Sequence, residues 1–200
     1  MTRELVLPFS LQLQIIDQSL AGKPEEICGI VRGRDRQATA LVPSRNVAEE
    51  RTINYLVEPS VLMQQFAFED AGDSMVAIYH SHPESAAYPS ATDAWTAAYP
   101  ESVYLICSLE VLQPVIRGFE LLDIEADFDL TAFKQQTSFY ETRPGLFAWY
   151  RAAGTPLPQA LDRTCFPARD PFYVVWFQPD PADEPEVRVV CIGEFRIKSH

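Results

Sequence analysis

Apolar positions along the chain alternate between helical and strand-like spacing. In LQLQIIDQSLAGK, Leu11, Ile15 and Leu20 lie close to helical spacing. With Ser10 as N-cap and Gly22 as a stop, the segment predicts a first helix. EEICGIVRG and ATALVPS follow as short β-branched runs around the polar RDRQ, and predict an antiparallel strand pair. A second helix is predicted from Pro59 and Ser60 to Gly72, with Leu62, Met63 and Phe66 on its buried face. MVAIYH then reads as a strand, and SATDAWTAAY, opened by Ser90, as a third helix that stops before Pro100. SVYLICSL and PVIRGFELL predict two more strands. The order α-β-β-α-β-α-β-β places the fold class at α/β (α+β), a central mixed β-sheet flanked by helices.

The pattern changes near Phe139. Eight of the 16 prolines lie in residues 139–200, and this part still contains FYVVWFQ and VRVVCIGEFRI around the acidic loop PDPADEPE. The expected organisation is a main domain over 1–138 and a Pro-rich C-terminal extension over 139–200 that carries a β-hairpin.

Charge and composition narrow the function classes. The formal net charge is -12, which repels phosphate backbones and anionic lipid, so neither a nucleic-acid nor a membrane partner is expected. Apolar runs such as Val103 to Cys107 are far shorter than the roughly 20 residues of a membrane span, and MTRELVLPFS lacks a signal-peptide core. A cytoplasmic protein is the expectation. Cys28, Cys107, Cys165 and Cys191 form no C-x-x-C pair, which argues against a zinc ribbon or a disulfide scaffold. Three of them sit in apolar strand-like runs, where a buried reduced thiol is expected.

Candidate chemistry concentrates in MVAIYHSHPESAAYPSATD, which holds two of the three histidines. Side chains alternate along a strand, so His80 and His82 share a face and both imidazoles can reach one point. Pro83 ends the ladder and should leave the pair at the strand's exposed end. Ser90-x-x-Asp93 has two readings. It is a helix-start pattern, and it also brings a carboxylate beside the strand end. Two imidazoles and one carboxylate with an open fourth position suit a catalytic zinc, although non-haem iron uses the same donors. His200, at the last position given, is expected to be solvated. Adjacent carboxylates Glu25 and Glu26 enter the first strand and offer a general base, or are merely solvated.

Glu26-x-x-Gly29, His80-x-His82, seven residues, then Ser90-x-x-Asp93 resembles the JAMM (MPN-type) zinc metallopeptidase signature in order. The likeness covers about residues 5 to 125 and includes the Asn46 region. YHSH and AYPS-x-TD look most like the bacterial branch that releases cysteine from a sulfur-carrier protein. The resemblance implies a cytidine-deaminase-like JAMM fold in which His80, His82 and Asp93 hold Zn2+. It implies further that Glu26 moves the proton of water to the leaving amine, and that Ser90 donates to the oxyanion. The implied partner is a ubiquitin-like or sulfur-carrier protein with a Gly-Gly C-terminus. Ser85 stands where the family usually has a small or glycine residue. A catalytically silent scaffold is the alternative, although all five signature positions are filled. A zinc deaminase would need H-x-E and P-C-x-x-C, which are absent. No G-x-S-x-G, P-loop or dinucleotide motif is present.

Overall fold

The computed structural model describes residues 3–161 and 171–199. Cys165 and His200 lie outside the described residues. The chain divides into two compact units. One comprises the described residues of Met1–Tyr88, Glu101–Glu120 and Glu194–His200, and the other those of Pro89–Pro100 and Leu121–Gly193.

In the first unit the strands are β1 (Glu4–Val6), β2 (Cys28–Arg34), β3 (Gln37–Ser44), β4 (Ser74–His82), β5 (Val103–Ser108) and β6 (Val115–Ile124, to residue 120). Their order is β1-β3-β2-β4-β5-β6. The sheet is mixed, as expected: β4 and β5 run parallel, whereas β2 pairs antiparallel with both β3 and β4, and β6 antiparallel with β5. Helix α1 (Phe9–Gly22) sets Leu11 and Ile15 into a core with Leu5, Leu7, Val31, Ala77, Tyr79 and Leu105. Burying each such aliphatic side chain contributes roughly 1.5–3 kcal/mol. β1 was not expected from the pattern. It is only three residues long and pairs with the far end of the chain, Glu4 opposite Arg196, so no local periodicity announces it.

Two helix expectations need correction. Leu20 on α1 is exposed, and the buried position is Ser19, whose hydroxyl donates to the Ile15 carbonyl at 2.7 Å. The second helix is broken into α2 (Pro59–Leu62) and α3 (Gln64–Asp70) at Met63. The break shifts the helical phase, so Val61 and Phe68 are buried while Met63 and Phe66 are exposed.

In the second unit, α4 (Ala91–Thr96) is shorter than the segment predicted for it. The strands β7 (Tyr140–Arg143), β8 (Leu146–Arg151), β9 (Phe172–Phe177) and β10 (Glu186–Lys198, to residue 193) form an antiparallel meander. The β9–β10 hairpin was expected. β7, β8 and α5 (Leu130–Gln136) were not, although Pro144-Gly145, with Gly145 at φ 77°, is a turn signal between aromatic runs. Phe133 of α5 packs edge-on against Trp149 and Trp176 at 5.3 and 6.3 Å, and Phe172, Val174 and Val189 complete this core. Among the described residues no helix is long and apolar enough to cross a membrane.

Gly29 of the Glu26-x-x-Gly29 motif has a packing role. It lies opposite Tyr79, and a Cβ there would stand 2.5 Å from the Tyr79 hydroxyl. That hydroxyl is held by its bond to Gln18 Oε1 at 2.8 Å, so the ring has little room to retreat. Gly29→Ala is expected to cost about 1–3 kcal/mol of stability in urea denaturation. An unchanged midpoint would contradict this packing.

Candidate metal centre

Alternation along β4 puts the His80 and His82 rings together, with Nε2 atoms 3.1 Å apart and planes tilted by 56°. Nδ1 of His82 pairs with the Ala86 carbonyl at 2.9 Å. That pairing requires the proton on Nδ1 and leaves a lone pair on Nε2, the state of a metal-ligating imidazole. The turn supplying Ala86 is tied down at Ser85, whose carbonyl accepts from the Ser108 hydroxyl at 2.6 Å.

The strand does end at Pro83, but the histidines are not at an exposed end: His80 is 0% and His82 4% exposed. Part of the reason is Tyr55, which stacks on the His80 ring at 4.0 Å with planes 16° apart. Asn46 organises the segment that carries Tyr55. Its amide nitrogen donates to the Glu26 and Asn54 carbonyls, and its oxygen accepts from the Ala48 and Leu56 N–H groups. Sequence reasoning reached the Asn46 region but missed Tyr55, a single aromatic in a polar stretch.

Ser90 and Asp93 form a full capping box at the start of α4. Ser90 N–H and its hydroxyl both donate to Asp93 Oδ2 at 2.7 Å, and Asp93 N–H donates back to Ser90 Oγ at 3.1 Å. The structural reading of this motif is therefore met. The ligand geometry is present as well: one donor atom each from His80, His82 and Asp93 lie within 4.8 Å of one another, and all three residues are buried. Two nitrogens bonded at about 2.0–2.1 Å to a tetrahedral zinc stand about 3.3 Å apart, close to the His80–His82 separation. The donor set fits a divalent transition metal.

Of the adjacent carboxylates, Glu26 is buried, whereas Glu25 is 46% exposed and pairs loosely with Arg51 at 3.6 Å. Glu26 is fixed through its backbone. Its N–H donates to the Arg51 carbonyl at 2.7 Å, and Ser81, between the two histidines, bonds the next residue twice, through Ile27 N–H and Ile27 carbonyl. Glu26 lines a cleft of about 520 Å³ together with Asn46, Ala48 and Arg51.

Residues 8–120 match the family described as prokaryotic homologs of the JAB domain. The chain belongs to this family. Among its JAB-domain relatives, the Desampylase of Haloferax volcanii is 47% identical over 88 residues, 42% of this chain and 63% of that protein. The CysO-cysteine peptidase of Mycobacterium tuberculosis is 33% identical over 123 residues, 60% of this chain and 84% of that protein. A probable TtuB-protein conjugate cleaving protease of Thermus thermophilus is 36% identical over 90 residues, 44% of this chain and 60% of that protein. The solution structure of a protein from Desulfitobacterium hafniense superposes with a TM-score of 0.52 at 28% identity, covering 58% of this chain and 83% of that one. The JAMM resemblance read from the sequence is thus borne out.

The thiol on β2 opposite His80 is chemically quiet. Burial pushes Cys28 up to about 12; the Ser44 hydroxyl opposes the shift and the Glu26 charge adds to it. Cys28, Cys107 and Cys191 are all buried, as expected. At pH 8 the Cys28 thiolate amounts to about one molecule in ten thousand, so iodoacetamide should leave it unlabelled in the native protein and label it after denaturation. Native labelling at Cys28, read by peptide mapping, would contradict its placement.

Proposed function

We propose that this protein is a zinc-dependent JAMM-type peptidase. Its substrate is the peptide or isopeptide bond after the C-terminal glycines of a ubiquitin-like or sulfur-carrier protein, cleaved in the cytoplasm. The observation that carries the reading is the convergence of two buried imidazoles and a carboxylate in a chain of this family. Relatives named as a desampylase, a CysO-cysteine peptidase and a probable TtuB-protein conjugate cleaving protease support the substrate class.

His80, His82 and Asp93 are the ligands in this reading. When bound, zinc supplies Lewis acidity toward water and the scissile carbonyl. The protein's own groups do the rest. Glu26 accepts the proton of the attacking water and returns it to the leaving amine, a role for which its burial at the entry of β2 favours it over the half-exposed, Arg51-paired Glu25. Ala86 fixes the His82 tautomer. Ser90 holds the Asp93 carboxylate through the capping box, and rotation of its hydroxyl out of the box frees a donor for the developing oxyanion.

The test combines metal analysis with a chelator-sensitive assay on a Gly-Gly-ended carrier joined to a fluorescent amine. Glu26→Gln is expected to keep one zinc per chain and lose about 10²–10⁴ in turnover. His82→Ala and Asp93→Ala are expected to lose the metal. Full activity of Glu26→Gln would move proton transfer to another group, zinc retained by Asp93→Ala would break the ligand set, and a metal-free wild-type protein would favour the scaffold alternative.

A further inference from the structure

The helix that presents Asp93 is only six residues long, far below the roughly 12–15 residues at which an isolated helix becomes even marginally stable. Its position must be set by what it is fastened to. Within its unit it is fastened by Thr142, Tyr173, Phe177 and Arg188, which lie after residue 120, where the family match ends. At its C-terminal end, the Arg188 guanidinium on β10 donates to the carbonyls of Trp95 and Ala97, the second at 2.7 Å, while Arg188 Nε donates to Asp123 Oδ2 at 2.8 Å. One planar, permanently charged group thus takes up two helix-end carbonyls and is itself held by a carboxylate. It also accounts for the early end of α4, since Ala97 is already extended, at ψ 117°.

At the N-terminal end, the Tyr173 hydroxyl on β9 donates to the Pro89 carbonyl at 3.1 Å, one residue before the capping box. Between the two ends, the Thr92 and Thr142 hydroxyls bond at 3.2 Å, and the Trp95 ring lies against Phe177 at 6.1 Å. Tyr173 and Arg188 therefore bracket the turn that carries the carboxylate. The capping box orients Asp93 within the helix, and these two side chains orient the helix itself.

We propose that Arg188 and Tyr173 are positioning residues for the metal ligand Asp93, so that the C-terminal extension is a working part of the metal centre. The inference rests on Asp93 being a ligand, as proposed above. Outer groups that orient a ligand typically change metal affinity about 10–100-fold when removed. Loss of either fastening leaves all three donors in the sequence but frees one of them to move.

The experiment measures zinc affinity of the full chain by competition with a chromophoric chelator, beside the melting temperature of the metal-free protein. Wild type, Asp93→Ala, Arg188→Met, Arg188→Lys and Tyr173→Phe are compared. Arg188→Met is expected to weaken zinc binding about 10–100-fold, Arg188→Lys to recover part of that, and Tyr173→Phe to weaken it several-fold. Wild-type zinc affinity in folded Arg188→Met and Tyr173→Phe, even with lowered melting temperatures, would overturn the positioning role and leave a structural one. If Arg188→Met does not fold, Tyr173→Phe decides, because it removes one hydroxyl and keeps the ring. Failure of the ligand reading is separately visible: wild type would bind no zinc, or Asp93→Ala would bind it as wild type does, and either result also removes the premise of this inference.

Discussion

Placing two imidazole nitrogens 3.1 Å apart in a buried site is the constraint on which the rest of the centre depends. Each ring removed from water loses hydration that something else must replace, and two facing lone pairs repel unless a proton or a cation lies between them. The surroundings of the pair address both demands. The Ala86 carbonyl takes one Nδ1 proton, Tyr55 stacks over the other ring, and Asp93 offers a carboxylate oxygen to the same candidate group of donors. A divalent cation would satisfy all three donors at once.

The same economy of groups recurs around the site. Ser90 and Asp93 close a helix cap and at the same time orient the carboxylate, so a single motif serves local folding and presents the proposed metal ligand. Ser81 turns away from the metal side of its two neighbours and bonds Ile27, which fixes the entry of β2 and with it Glu26. Asn46 spends three hydrogen bonds on the segment that carries Tyr55 and a fourth on the Glu26 carbonyl, tying that segment to the entry of β2. Gly29 gives up a side chain so that Tyr79 can cross β2. Ordinary packing and capping rules thus position the residues assigned to the chemistry.

Legibility in the sequence followed the range of the interactions. Period-two alternation and the Pro83 break made the histidine pair readable, and Ser-x-x-Asp declared both its cap and its carboxylate. Those signals act over a few residues. What depended on distant partners was not readable. The burial of His80 comes in part from Tyr55, 25 residues earlier in the chain, and the end of α4 is bonded by Arg188, 91 residues beyond Ala97. The phase of the second helix also escaped, because the break at Met63 lies inside a run of good helix formers and only tertiary packing of Val61 and Phe68 reveals it. β1 belongs to the same class, since its partner strand is at the opposite end of the sequence.

The central claim is that these three side chains form one metal site. Anomalous diffraction at the zinc absorption edge, from crystals of the full chain grown with zinc, tests it most directly. The account predicts one strong peak about 2.0–2.2 Å from a ring nitrogen of His80, a ring nitrogen of His82 and a carboxylate oxygen of Asp93. A peak bound elsewhere, or none at these residues in zinc-soaked crystals, would contradict it.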